Sequence, residues 1–197
     1  MGANMKFRGF LLGCMCCLLS SCIGTAFVAG AATGGYIVND RRSTDTIVLD
    51  QNIEQQVYNK LYADPTIKER THVNVTSFNR VVLLVGQVPN AELRKQIVAL
   101  AQQVPHIKRI YNELKVEETT SFGRRSKDVW LAGKIRTQLL VTKDLHSSQI
   151  TIVVENGVVY LLGLVTPEQG RLAAESTRRV EGVTRVVKIF EYLSVVN

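Results

Sequence analysis

The chain has 197 residues, 46% of them hydrophobic and 21% charged, with 24 basic against 17 acidic residues and a formal net charge of +7. That much apolar material excludes a disordered polyelectrolyte, and the length allows two small domains. All four cysteines (Cys14, Cys16, Cys17, Cys22) lie at the start, which excludes a disulfide-stapled scaffold.

Lys6 and Arg8 form a short positive region, and Phe10 to Leu19 is apolar but too short for a spanning helix, which takes roughly 20 residues. The run ends in Leu19-Ser20-Ser21-Cys22, which resembles a bacterial lipobox. Residues 1–21 therefore read as a lipoprotein signal peptide and Cys22 as the lipidation site. The alternative is an ordinary secretory signal with a chance cysteine. In lipoproteins of this kind an aspartate after the cysteine favours inner-membrane retention; Ile23 stands there, which favours the outer membrane, facing the periplasm. Removal of Lys6 and Arg8 leaves 22 basic against 17 acidic residues, +5. For an exported protein, that excess suits anionic lipid headgroups and not nucleic acid.

Gly24 to Val38 is rich in Gly and Ala, and Arg41-Arg42-Ser43-Thr44-Asp45 is polar, so residues 22–45 read as a lipidated flexible tether. A first unit covers residues 46–118. Ile53, Val57 and Leu61 recur at helical spacing, so the pattern predicts a helix over Asp50–Tyr62 with Asp50 as N-cap, ended by Pro65. Val73–Thr76 and Arg80–Val85 read as strands joined by Ser77-Phe78-Asn79, with Gly86 as a bulge or strand end. Asn90 caps a helix over Ala91–Gln103, Pro105 stops it, and Ile107–Val116 is the last strand.

Residues 119–127 form a polar, basic linker, and a second unit covers residues 128–197. Val129–Leu140 is its first helix. Ile150–Val154 and Val158–Leu162 form a hairpin through Glu155-Asn156-Gly157, because Asn-Gly tolerates φ > 0. Thr166 caps a helix over Pro167–Val180, and Val183–Tyr192 closes the unit after Gly182. The second half thus repeats the first: Val82-Leu83-Leu84-Val85-Gly86-Gln87-Val88 returns as Val159-Tyr160-Leu161-Leu162-Gly163-Leu164-Val165. The order α-β-β-α-β, twice, is an α+β arrangement: in each unit one sheet is covered by two helices. At this size each unit is marginal without a neighbour to pack against.

The repeat, the motifs Val85-Gly86-Gln87-Val88 and Leu162-Gly163-Leu164-Val165, and Gly182-Val183-Thr184-Arg185-Val186 resemble BON domains. With the lipobox, and with stretches such as Pro89-Asn90-Ala91-Glu92-Leu93, Tyr111-Asn112-Glu113 and Trp130 through Asp144, the chain resembles the dual-BON outer-membrane lipoproteins. That implies two tandem BON domains with three-stranded mixed sheets.

No catalytic set is evident, and no cofactor is implied. His72, His106 and His146 lack a partner at metal-ligand spacing; His72 and His146 read as solvated positions before strands. The informative segment is the first helix of the second unit. Leu131, Ile135 and Leu139 share one stripe, which should face the sheet; Trp130, Lys134, Thr137 and Val141 share the next, with Lys127 close by. An indole suits the headgroup level of a membrane, and lysines beside it would meet phosphate. The first unit carries Asn52 where the second has Trp130. The bland alternative for a lone Trp is a core or domain-interface residue.

The resemblance implies that this helix binds anionic phospholipid (phosphatidylglycerol, cardiolipin), with Trp130, Lys134, Ile135, Arg136, Gln138 and Leu139 at or beside the contact. Ile135 and Leu139 are expected to be chiefly core. The stretch Leu131-Ala132-Gly133-Lys134 departs from the resembled pattern, and Gly133 softens a helix by up to about 1 kcal/mol against Ala. The expected function is a non-enzymatic one: support of outer-membrane integrity, at the division site. The rival is a protein-interaction module acting on envelope or cell-division proteins, such as cell-wall amidases or assembly factors, with the first unit's strand edges and Tyr111 as its face.

Overall fold

The computed structural model describes residues 40–193. The leader, Cys22 and the Gly24–Val38 stretch lie outside the described residues. Residues 40–193 fall within one compact unit.

Helix α1 (Thr44–Tyr62) starts at Ser43, whose hydroxyl accepts from the Thr46 amide. Asp50, expected to cap it, is instead buried in mid-helix. Its carboxylate accepts from Ser77 Oγ and from the Asn79 and Arg80 amides, each at 2.7 Å. It therefore caps a hairpin turn. That turn is Asn79-Arg80, with φ of +50° and +68°, the two-residue geometry that matches strand twist. Strands β1 (His72–Phe78) and β2 (Val81–Val88) are consequently joined by two residues where three, Ser77-Phe78-Asn79, were expected. A short helix α2 (Pro65–Arg70), capped by Asp64, follows α1 where Pro65 was expected only to end it. Helix α3 (Ala91–Gln102) and strand β3 (Arg109–Val116) complete the first domain.

The second domain repeats the plan. Helix α4 (Phe122–Leu140) is followed by β4 (Ile150–Glu155), β5 (Val158–Val165), α5 (Pro167–Arg178) and β6 (Arg185–Tyr192). Asp128 holds the place of Asp50 and accepts from the Asn156 and Gly157 amides at 2.9 and 3.0 Å. Each sheet has its β2-type strand in the centre, antiparallel to one neighbour and parallel to the other. The fold is thus the expected α+β pair of three-stranded mixed sheets.

Gly86 lies inside β2, not at a bulge or strand end, opposite Val73. At φ +127° a Cβ on it would stand 2.0 Å from the His72 carbonyl oxygen. Gly163 repeats the constraint, with a Cβ position 2.7 Å from the Gln149 carbonyl oxygen. The repeated glycine is therefore set by close backbone approach from the edge strand.

One face of each sheet packs on its own helices, around Ile53, Val57 and Leu84 in the first domain and Ile135, Leu139 and Leu161 in the second. The other faces pack on each other: Phe78, Val81, Leu83 and Val85 meet Val153, Tyr160, Leu162 and Ile189. The layers run helices, sheet, sheet, helices. Burial on both faces explains why β2 and β5 read as continuous apolar runs.

Polar contacts fix the register between the domains. Gln87, fully buried, donates to Glu155 at 2.6 Å and accepts from Thr120. Asn79 donates to Glu191 at 3.0 Å. His72, expected as a solvated turn residue, begins β1 and sits with Nε2 3.9 Å from Glu155, because the strand starts earlier than its apolar pattern indicated. The run Arg41–Asp45, expected to continue a flexible tether, is tied to both domains. Arg41 donates to the Leu164 carbonyl and to Gln169; Arg42 pairs with Asp40 and Asp50 and lies 4.0 Å over the Phe78 ring.

Candidate functional site

Helix α4 begins at Phe122 and not at Val129, so the basic residues Arg124, Arg125 and Lys127 of the expected linker belong to it. The periodicity missed this because the first two turns have no apolar stripe to bury. Leu131, Ile135 and Leu139 face the sheet and are buried, as their spacing required. Asp128, the one acid in the helix, is buried and spent on the β4–β5 turn.

Trp130 is not at the domain interface. It is 66% exposed, and Val141, a little over three turns on, is 74% exposed. Trp130, Lys134, Thr137, Gln138 and Val141 line an open groove of about 710 Å³, floored by Gly133 and walled by Val180 and Glu181. A second groove of about 400 Å³ lies toward the N-terminus, where Lys127 and Arg124 stand with the indole's other side, Leu131 and Gly182. Trp130 and Glu181 border both. Lys134 Nζ sits 4.0 Å above the indole ring and donates to the Glu181 carbonyl at 2.9 Å. The lysine thus fixes the ring's pose from one side. Thr137 returns its hydroxyl to the Gly133 carbonyl. At Gly133 a Cβ would meet nothing within 4 Å, so no packing demands glycine there.

Of the residues picked from the sequence, Trp130, Lys134, Thr137, Gln138 and Val141 share one groove, and Lys127 joins Trp130 in the other. Arg136 lines neither; at 100° per residue it lies about 120° around the helix from Trp130. Sequence reasoning missed Val129 and Leu140, which are 74% and 65% exposed between those two flanks. The signal was present: both fall outside the Leu131-Ile135-Leu139 stripe. It also missed Arg124, hidden by the misplaced helix start. Tyr111, expected on the rival binding face, instead packs partly buried against the core between the sheets.

The matching face of α1 is of a different kind. Asn52 and Gln56 occupy the places of Trp130 and Lys134, and they bond each other at 3.0 Å. Gln55 and Asn59 do the same at 2.9 Å. Amides tied to one another present neither an aromatic nor a cation. Among the described residues no group of His, Cys, Asp and Glu could hold a metal, and no helix is long and apolar enough to cross a membrane.

The BON domain model matches residues 49–118 and again 127–194, one match to each half of the repeat. The chain belongs to the BON-domain family. The chain is similar to the outer membrane lipoprotein DolP of Haemophilus influenzae, 36% identical over 189 residues, 96% of this chain and 97% of that one. It is also similar to a 21 kDa hemolysin of Actinobacillus pleuropneumoniae, 34% identical over 154 residues, 78% of this chain and 79% of that one. Together these support a dual-BON lipoprotein of the outer membrane. Among solved structures, the C-terminal domain of CdsD, a structural protein of the Chlamydia trachomatis type III secretion system, aligns at TM-score 0.31 and 9% identity. That alignment covers 71% of this chain and 96% of that one.

Proposed function

We propose that this BON-domain protein is anchored in the outer membrane through lipidated Cys22, faces the periplasm, and docks its second domain on anionic phospholipid through α4. One observation carries the reading: the chain's single tryptophan stands exposed between two grooves on a helix whose free charges are all basic. An indole is favoured at headgroup level, and each Lys or Arg near an anionic surface contributes about 1 kcal/mol. Val141 adds apolar area to the same outward surface. Phosphatidylglycerol and cardiolipin are the lipids this charge suits. Anchor and headgroup contact act as two linked weak signals. The resemblance to dual-BON lipoproteins extends the reading to outer-membrane integrity and recruitment to the division site. It assigns no catalysis.

The test is vesicle co-sedimentation of the mature chain carrying Cys22→Ser, so that no anchor contributes. Binding is expected to phosphatidylglycerol or cardiolipin vesicles and not to phosphatidylcholine, to weaken with salt, and to be lost in Trp130→Glu. If Trp130→Glu sediments as wild type does, the docking surface is elsewhere.

A further inference from the structure

The two domains treat their first edge strand differently. In the first domain, three side chains of α1 reach over and bond the outward backbone of β1. Glu54 accepts from the Ser77 amide at 2.7 Å, the Tyr58 hydroxyl accepts from the Val75 amide at 3.0 Å, and the Tyr62 hydroxyl donates to the Val73 carbonyl at 3.2 Å. The edge is closed to further strands.

Because Asp50 and Asp128 occupy one position, the residues of α4 that answer to Glu54, Tyr58 and Tyr62 are Ala132, Arg136 and Leu140. The backbone groups that answer to those of β1 are the Val154 amide, the Ile152 amide and the Ile150 carbonyl. Among the described residues none of these three receives a side-chain partner. Ala132 is too short, and Arg136 has only donors, which an amide cannot use. Strand β4 carries no charge before Glu155 at its turn. The parallel-paired edges β3 and β6 carry Lys115 and Lys188, the usual guard against strand addition.

We infer that the open β4 edge of the second domain receives an extended segment of a partner protein as an added strand, one with acidic side chains facing Arg136. Backbone pairing supplies the attachment, and side-chain pockets supply choice. Charge complementarity names the partner's sign: Arg136 makes no ion pair among the described residues, and no exposed acid stands on α4. The same charge disfavours a second copy of this chain, whose own β4 edge would bring another Arg136. The edge lies on the flank of α4 turned away from Trp130, so this inference stands apart from lipid docking.

Two synthetic heptapeptides, one alternating valine with glutamate and one alternating valine with lysine, are titrated into the isotope-labelled mature chain (Cys22→Ser). In the free protein the Ile152 and Val154 amides should exchange with solvent faster than the Val75 and Ser77 amides. The glutamate peptide should shift and protect Ile152 and Val154, at least tenfold more tightly than the lysine peptide. Transplanting the first domain's cap, as Ala132→Glu with Arg136→Tyr, should weaken that binding at least tenfold while the remaining amide spectrum is kept. Trp130→Glu should leave it unchanged. Slow exchange at Ile152 and Val154 in the free protein, perturbation confined to other strands, or undiminished binding by the capped variant overturns the inference.

Discussion

Lys127 and Lys134 carry the same charge on the same helix, yet the structure assigns them different work. Lys127 stands exposed at the rim of the second groove, whereas Lys134 is held 4.0 Å over the Trp130 ring and bonded to the Glu181 carbonyl. Replacing either with Met keeps most of the stem and removes the charge. Loss of the charge near an anionic surface should cost about 1 kcal/mol, roughly fivefold in vesicle partition. Lys134→Met loses in addition the contact that poses the indole, which is worth about 0.5–1 kcal/mol at an exposed site, so its total loss should be roughly ten- to thirtyfold. Lys127→Met should unfold within about 0.5 kcal/mol of wild type and Lys134→Met within about 1 kcal/mol, since neither side chain belongs to a core. The decisive readout is tryptophan emission in buffer, before any lipid is added. Trp130 is the chain's one tryptophan, so emission reports it alone. Lys134→Met should change its intensity or wavelength, and Lys127→Met should not. Equal partition losses with unchanged emission in both variants would refute the posing role.

Gly86→Ala should destabilise the first domain by about 3 kcal/mol or more in urea, because its Cβ would stand 2.0 Å from a carbonyl oxygen at positive φ. Gly133→Ala, with open space around it, should instead add up to about 1 kcal/mol and leave vesicle binding intact. The buried Tyr160 phenol is pushed up to about 12, first by burial and then by the Glu113 charge. Its folded value exceeds the ordinary one, so its contribution is whole below pH 10 and declines as the pH rises through 12. Denaturation midpoints at pH 9 and pH 11.5 should therefore differ less in Tyr160→Phe than in wild type; Tyr58 and Tyr62, also raised by burial, leave a residual decline.

Where burial drives an element, the sequence shows it. The stripes Ile53-Val57-Leu61 and Leu131-Ile135-Leu139, the runs of β2 and β5, and the Asn156-Gly157 turn all follow from apolar periodicity or from φ > 0 chemistry. What failed to show was driven by polar contacts made across long separations. Asp50 looks like an N-cap because aspartate favours that place, yet its partners Ser77, Asn79 and Arg80 lie a hairpin away. Arg41 and Arg42 look like tether because their partners are in the other domain and in mid-helix. At the site, the spacing alone put Trp130 beside Lys134 and Val141. It could not decide between a wet and a buried indole, because which side of α4 meets the neighbouring domain depends on how the two sheets pack.

That packing also constrains where either domain can bind anything. Each sheet has one face on its helices and the other on its twin, so neither flat face remains for a ligand. Only helix surfaces and strand edges are left. The first domain spends both: its α1 amides bond each other, and Glu54, Tyr58 and Tyr62 close its β1 edge. In the second domain the same three edge-capping positions are Ala132, Arg136 and Leu140, and the four amide positions hold Trp130, Gly133, Lys134 and Thr137. Seven substitutions at equivalent places thus turn a self-satisfied helix into one with two open flanks. Those flanks lie about 120° apart around α4, far enough for a bilayer on one and an added strand on the other. On this geometry, lipid docking and strand addition do not compete, and a variant that removes one should leave the other at full strength.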